Sequence, residues 1–185
     1  MIDKNFLSLD LELNQPSGSI IQVGYVIGNL KSGEIFQEVC DNIKVEEEIN
    51  PFITNLTGIT QKDVDNGIDI RESYANMCDF HKEYNCFRNN LQWGQGDSEC
   101  LERLVRKEIT EVEWFLFGRR SIDVKTVFIS YRWANGLNAQ AGLAKALNKL
   151  GFNFEGKKHN SLCDAKNTFI IYRELLKKFS LDNKL

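Results

Sequence analysis

Two acidic residues lie two positions apart in the first apolar stretch of the chain, Phe6–Asn14, which reads FLSLDLELN. Apolar residues occupy every odd position from Leu7 to Leu13, and this period of two predicts a β-strand with one buried face. Asp10 and Glu12 therefore project together from the other face, where two like charges repel each other. Either a cation binds there, or the acids form a solvated strand face.

Acids also stand at the start of two later elements. Asp97 follows a predicted short strand, Leu91–Trp93, and the turn Gly94–Gly96, at the point where a helix is predicted to begin. Asp164 lies in the first turn of the last predicted helix, with His159 five residues upstream in a loop. Each has a structural alternative: Asp97 suits a helix N-cap, the sequence from Ser161 to Asp164 has a capping-box pattern, and a lone loop histidine is commonly only solvated.

Taken together, the four acids and His159 favour a catalytic site over a separate structural role for each residue. Hydrolysis of a phosphodiester can use two divalent ions roughly 3.5–4 Å apart, and hard cations such as magnesium prefer carboxylate oxygens. Asp10 and Glu12 could share such ions, and Asp97 and Asp164 could complete the ligand set if the fold brings them together. His159 could deprotonate the attacking water, because the pKa of histidine lies near working pH.

The sequence predicts strands in the first part of the chain and a mixture of helices and short strands later. These elements must position the acids and His159. Three strands are predicted at Phe6–Leu13, Ser19–Gly28 and Glu34–Val45, separated by turn signals and arranged as an antiparallel meander. Apolar spacing and capping signals predict helices from Thr60, over Ile70–Phe87, from Asp97, over Asn138–Leu150 with a stop at Gly151, and over Ser161–Phe179. The run Trp114–Phe117 is expected in the core. This order predicts an α/β domain with a mixed sheet, spanning residues 1–185 as a single unit.

Composition narrows the class of protein further. The chain has 185 residues, 42% of them hydrophobic and 26% charged, and a net charge of −3, which argues against binding nucleic acid by bulk positive charge. No apolar run reaches the ~20 residues of a membrane helix, and the first residues do not resemble a signal peptide. The five cysteines show no Cys-x-x-Cys pair, which fits reduced thiols in a cytoplasmic protein better than a zinc site or a disulfide framework.

In three segments the sequence resembles the DEDDh 3′–5′ exonucleases, a family named for four acids and a histidine. Asp10-Leu11-Glu12 resembles the first motif, Trp93-Gly94-Gln95-Gly96-Asp97 the second, and His159 with Asp164 the third, His-x4-Asp. Three supporting segments follow in the expected order: Asn55–Thr60, Ile122–Lys125 and Phe154–Asn160. One departure is that many members carry threonine where this chain has Leu13.

The resemblance implies an RNase H-like fold: a mixed sheet of three antiparallel strands followed by parallel strands, flanked by helices, with strand one at the centre. It implies Asp10, Glu12, Asp97 and Asp164 as ligands of two Mg²⁺ or Mn²⁺ ions and His159 as general base. Leu56 and Ile59 match positions that pack on the terminal base in relatives, although both would also suit an ordinary core. The full set of candidate substrate contacts is Leu11, Leu13, Asn14, Leu56, Ile59, Trp93 and Asn160.

The function expected from these residues is a metal-dependent 3′–5′ exonuclease that acts on single-stranded 3′ ends, RNA in preference to DNA, and releases nucleoside 5′-monophosphates. The alternative is a catalytically weak or inactive nucleic-acid-binding module of the same fold. All five key residues are present, which favours the enzyme. The expected protein is a monomer or homodimer without membrane contact. Lys157, Lys158, Arg119 and Arg120 are either contacts for the nucleic-acid backbone or ordinary surface residues.

Overall fold

The computed structural model describes residues 3–108 and 120–182. Its five strands form one sheet: β1 (Asn5–Leu13), β2 (Ile20–Asn29), β3 (Ile35–Asn42), β4 (Leu91–Gln92) and β5 (Ile122–Asp123). The spatial order is β3-β2-β1-β4-β5. The first three strands pair antiparallel, whereas β4 and β5 run parallel to β1. The predicted mixed sheet with strand one at its centre is therefore confirmed.

Seven helices are present in the described part of the chain. They are α1 (Pro51–Thr57), α2 (Gln61–Asp65), α3 (Ile70–Glu83), α4 (Asp97–Glu108), α5 (Val124–Ala134), α6 (Leu143–Leu150) and α7 (Ser161–Asp182). None of the helices in the described ranges is long and apolar enough to cross a membrane.

The alternation seen in the sequence of β1 divides the two faces of the sheet. Leu7, Leu9 and Leu11 are buried in a core formed with α3 and α4, where Met77 and Leu101 are fully buried. The opposite face packs on α5, α6 and α7 through a second core that includes Phe128 and Phe169. Helices thus cover both faces, and Asp10 and Glu12 lie on the face covered by α7.

The long helix α7 approaches the sheet unusually closely because two glycines lie beneath it. A Cβ atom on Gly24 would overlap with the backbone of Ser161 and Leu162 at the start of α7. A Cβ on Gly28 would lie 2.8 Å from the ring of Phe169. Gly24 is also the antiparallel partner of Asp10, so the missing side chain sets how near the start of α7 comes to the first acid.

Several element boundaries differ from the sequence-based expectations. Helix α1 was not predicted, although Asn50 caps it, Pro51 starts it and Gly58 ends it. Helix α5 was also missed, and α6 begins at Leu143, five residues after the predicted start. Helix α2, with the capping box of Thr60 and Asp63, and the stop of α6 at Gly151 are confirmed. The run Trp114–Phe117 and Arg119 lie outside the described residues.

We expect Gly24→Ala to lower the free energy of unfolding by about 3 kcal/mol or more, at the upper end of overpacking effects, because the obstacle is backbone and not a flexible side chain. Chemical denaturation monitored by circular dichroism measures the change.

Gly142→Ala is the matched control, since Gly142 has φ −75° and a Cβ there would meet nothing within 4 Å. We expect the control to change stability by less than about 1 kcal/mol. Equal stability of the two variants would contradict the role assigned to Gly24.

Candidate active site

Asp10 and Glu12 project from the last part of β1 toward the start of α7. Their direct partners on β2 are Gly24 and Gln22. Because paired residues of antiparallel strands point to the same face, these four residues form one small patch under α7. The patch contains two acids, one amide and one position without a side chain, and the backbone at the start of α7 packs directly on that position.

Gln22 holds the start of α7 in place over this patch. It is 5% exposed, and its Oε1 accepts hydrogen bonds from the Ser161 backbone N–H (3.0 Å) and hydroxyl (2.9 Å). The Asn160 Oδ1 accepts from the Cys163 N–H (3.1 Å) and so caps the helix. The Ser161 hydroxyl, which the capping-box alternative required as the cap, donates to Gln22 instead. The carboxylate of Asp164 is therefore left to face the acids of β1.

Asp97 is the first residue of α4, and a buried polar network fixes this helix start. The Ser98 N–H and hydroxyl both donate to the Gln92 Oε1 (3.0 and 2.7 Å), and Asn90 Nδ2 donates to the Ser98 hydroxyl (2.8 Å). Gly96, one residue before Asp97, supplies the carbonyl that accepts the first helical N–H, from Cys100. No hydrogen bond within the described residues uses the Asp97 carboxylate as a cap, so this side chain is also available to the site.

His159 stands on an exposed loop above the acids. Its backbone has φ +58°, a left-handed conformation that few residues other than glycine and asparagine adopt readily. One ligand atom each of Glu12, His159 and Asp164 lie within 4.8 Å of one another. Lys158, His159 and Asp164 also line a cavity of about 340 Å³ that extends to the start of α6.

The pKa values of the four acids are all raised, partly because their carboxylates lie close together. Burial, reinforced by the charges of Asp164 and Asp97, raises the pKa of Glu12 to about 7. Burial, with Glu99 and Asp164, raises the pKa of Asp97 to about 7. The pKa of Asp10 is raised well above its usual range, first by burial and then by the other three acids.

Asp164 differs from the other three acids because positive charge lies beside it. Burial raises its pKa to about 6, while the His159 ring and backbone N–H and the charge of Lys158 act in the opposite direction. Within the described ranges, no lysine or arginine forms an ion pair with any of the four acids. The acids therefore repel one another in a partly desolvated cleft.

This donor set fits divalent cations. Carboxylate oxygens are the ligands that Mg²⁺ and Mn²⁺ prefer, and a half-buried group of acids without lysine or arginine ion pairs is stabilised when such an ion binds. Asp10, Glu12, Asp97 and Asp164 are the residues that would hold the ions. His159 lies close enough to Glu12 and Asp164 either to act on a water beside them or to become a ligand itself.

The side chains near β1 that were predicted to contact substrate have structural roles in the protein. Leu11 is buried in the core, and Leu13 packs partly against it. Asn14 is 2% exposed: its Nδ2 donates to the Glu47 carboxylate (3.0 Å) and its Oδ1 accepts from the Asn50 N–H (2.9 Å). In this segment only backbone groups are available to a substrate. The predicted contact between this segment and a substrate stays a prediction.

The remaining predicted contacts divide into accessible and buried groups. Leu56 is 38% exposed on α1, whereas Ile59 is 5% exposed and packs in a small core with Ile53. Trp93 is half-buried, its ring 6.1 Å from that of Phe128. Asn160 caps α7, as described above. Leu56 is therefore the member of this group with most surface to offer.

Sequence reasoning missed the residues that support the acids. Gln22 and Gly24 interrupt an otherwise apolar strand, Ile20–Gly28, and a lone amide and a glycine in such a strand are the available signals. Asp123 was named only as part of a supporting segment. Its carboxylate accepts from the Gly94 N–H (3.1 Å) and from the Thr126 N–H and hydroxyl, so it joins the start of α5 to the turn before Asp97.

The raised pKa values predict how the stability of the metal-free protein depends on pH. Unfolded Asp and Glu have pKa values near 4, whereas Glu12 and Asp97 reach about 7 and Asp164 about 6 in the folded state. Between these values the folded protein binds more protons than the unfolded chain, so the unfolding free energy falls as pH rises from about 4 to about 7. We expect Tm, measured in EDTA from pH 5 to pH 8, to fall across this range.

Glu12→Gln removes one of the titrating groups and should make the fall shallower. Addition of Mn²⁺ at pH 8 should restore Tm in the protein without substitutions. Ion binding to the folded state neutralises the acids, as protons do at lower pH. A Tm in EDTA that rises between pH 5 and pH 7 in both proteins would contradict the mutual repulsion of the acids.

Comparison with known proteins identifies the family. The Exonuclease family model, RNase T, matches residues 7–172. The chain is 28% identical over 181 residues to ERI1 exoribonuclease 2 of Mus musculus and 28% identical over 172 residues to 3′-5′ exonuclease Snipper of Drosophila melanogaster. These matches cover 87% and 80% of this chain, but only 26% and 57% of the two relatives.

A solved structure shares the fold. The nuclease domain of 3′hExo, described as a DEDDh family member bound to rAMP, superposes with a TM-score of 0.74 at 22% identity, over 95% of this chain and 93% of that one. Together with the family model, which spans nearly the whole chain, this similarity leads to one conclusion. The chain belongs to the Exonuclease (RNase T) family and has its RNase H-like fold.

Proposed function

We propose that this protein is a metal-dependent 3′–5′ exonuclease that hydrolyses phosphodiester bonds at single-stranded 3′ ends and releases nucleoside 5′-monophosphates. The observation that carries the proposal is the convergence of Asp10, Glu12, Asp97 and Asp164 from three separate elements, with His159 beside them. Structural needs do not explain this convergence, because none of the four acids forms an ion pair with a lysine or arginine among the described residues. Family membership supports the same activity.

In this proposal the four acids hold two Mg²⁺ or Mn²⁺ ions. Bound ions would supply stabilisation of negative charge on the attacking and leaving oxygens. The chain itself positions the scissile phosphate: the acids of β1 lie at the floor of the cleft, and the first turns of α4 and α7 bring Asp97 and Asp164 to its sides. Asp10 lies on the sheet face covered by α7, where it is half-buried.

His159 is proposed as the general base. It is exposed, so its ring can exchange protons with solvent, and it lies within 4.8 Å of Glu12 and Asp164, so it can reach a water held beside them. The ring accepts a proton from the attacking water as the new bond to phosphorus forms and the bond from phosphorus to the 3′ oxygen of the preceding nucleotide breaks. The ring then returns its proton to solvent, and the leaving 3′ oxygen takes a proton from solvent to become a hydroxyl. Imidazole suits this step because its pKa lies near neutral pH.

RNA is proposed as the preferred substrate, acted on at single-stranded 3′ ends. The relatives named above are exoribonuclease and 3′-5′ exonuclease proteins, and the related 3′hExo structure holds rAMP. The exposed Leu56 on α1 offers an apolar surface for the terminal base. Leu13 at the position of a common threonine offers no hydroxyl to the terminal sugar, so recognition of the sugar would depend on backbone groups.

Digestion of 5′-labelled RNA and DNA oligonucleotides of the same sequence, with Mg²⁺ or Mn²⁺ and with EDTA, tests the proposal. We expect a ladder that shortens from the 3′ end, faster for RNA, and no reaction in EDTA. Binding without cleavage in every metal would instead support the alternative, an inactive nucleic-acid-binding module. Shortening from the 5′ end or an internal cut would contradict the proposed polarity.

We expect Asp164→Asn to lower the rate of cleavage by about 10³-fold or more, because loss of one ion removes several kcal/mol of transition-state stabilisation. The variant should remain folded, since it removes one of four mutually repelling charges. Initial rates, Mn²⁺ titration calorimetry and Tm in EDTA measure the three effects. Asp79→Asn, which changes an exposed acid on α3, is the matched control, and undiminished activity of Asp164→Asn would refute the metal role.

We expect His159→Asn to slow hydrolysis by about 10²–10⁴-fold through loss of the general base, with Mn²⁺ affinity preserved. Asparagine is preferable to alanine at this position because it tolerates the positive φ of 58°. Single-turnover rates and calorimetry distinguish the roles: a large loss of Mn²⁺ affinity would show that His159 is a metal ligand, contrary to the proposal.

A further inference from the structure

The segment 156–159, which carries His159, has few attachments to the rest of the protein. On its N-terminal side the buried Asn167 holds Glu155, accepting from its N–H (3.0 Å) and donating to its carbonyl (2.9 Å). On its C-terminal side Asn160 begins α7. Between these two points the His159 backbone N–H interacts with the Asp164 carboxylate of α7, and the Lys157 side chain donates a hydrogen bond to a second element. Within the described residues, Lys157 therefore provides the support of this loop that does not come from α7.

That support is a contact with the end of α1. The Lys157 ammonium donates to the carbonyl of Thr57 at 2.8 Å, across 100 residues of sequence. Thr57 is the last residue of α1, so its carbonyl has no helical N–H to pair with. Gly58, with φ +80°, turns the chain away immediately afterwards, and a Cβ there would overlap with the Lys157 Nζ. The absence of a side chain at Gly58 is what lets the lysine reach the carbonyl.

The two ends of this contact carry different parts of the proposed site. Lys157 is two residues before His159, the proposed base. Thr57 lies next to Leu56, the exposed apolar side chain proposed to meet the terminal base. Thr57 itself is 4% exposed, and its hydroxyl donates to the Ile53 carbonyl and accepts from the Ile59 N–H, so this end is rigid. The contact thus joins the loop of the base to the rigid end of α1.

We propose that Lys157 is a positioning residue, which sets the place of His159 by holding its loop to the end of α1. The proposal rests on the proposed nuclease function. It also replaces the sequence-based expectation that Lys157 holds the nucleic-acid backbone, because the ammonium is already engaged with a carbonyl on the protein. Lys158, by contrast, has no hydrogen bond within the described structure and lines the cavity beside Asp164.

Lys157→Met tests the proposal, since methionine keeps much of the length and apolar character of the side chain but cannot donate. We expect kcat for RNA hydrolysis to fall about 10- to 100-fold, the effect of a misplaced catalytic group, with KM changed less than about threefold and Mn²⁺ affinity unchanged. Lys157→Arg keeps a donor of sufficient length and should retain most of the activity. Lys82→Met, which removes an exposed lysine near the end of α3, controls for the lost charge.

A double variant separates positioning from general destabilisation. If Lys157 acts through His159, Lys157→Met added to His159→Asn should cause no further loss of kcat, whereas independent effects would multiply. Multiplying effects, or a Lys157→Met enzyme with unchanged kcat, would overturn the proposal while leaving the nuclease function intact. If the protein without substitutions has no metal-dependent exonuclease activity, both the proposed function and this inference are wrong.

Discussion

The repulsion among four half-buried acids is the constraint on which the candidate site depends. Asp10, Glu12, Asp97 and Asp164 raise one another's pKa values, and the fold must hold them together against that repulsion. Packing of apolar side chains on both faces of the sheet supplies the opposing free energy. A protein that holds like charges together in this way is suited to bind cations. Bound ions would reduce the electrostatic repulsion that apolar packing alone must otherwise offset.

Each acid-bearing element has its own uncharged anchor. The strand β1 is fixed by pairing on both sides, α4 by the buried network of Asn90, Gln92 and Ser98, and α7 by Gln22. Amide and hydroxyl groups serve here because a lysine or arginine in the same place would neutralise the acids and compete with the metal. The anchors thus hold the acids in place without lowering the negative charge of the cluster.

Protons and divalent ions compete for the same oxygens in this arrangement. Because the pKa is about 7 for Glu12 and Asp97 and about 6 for Asp164 without metal, part of the set is protonated near neutral pH, and binding of an ion would release those protons. His159 lies beside Glu12 and Asp164 but is carried by a separate, exposed loop, which Lys157 connects to the end of α1.

The sequence alone determined the alternation of β1, the mixed sheet, the start of α7 and the five residues of the candidate site, because these depend on local periodicity and on motifs with fixed spacing. Only the tertiary structure decided that Gln22 and Gly24 shape the floor of the site, that Asn14 and Ile59 are engaged in the protein itself, and that Lys157 reaches Thr57. Those roles arise between residues far apart in sequence. A glycine or lysine carries no local sign of the partner that will approach it.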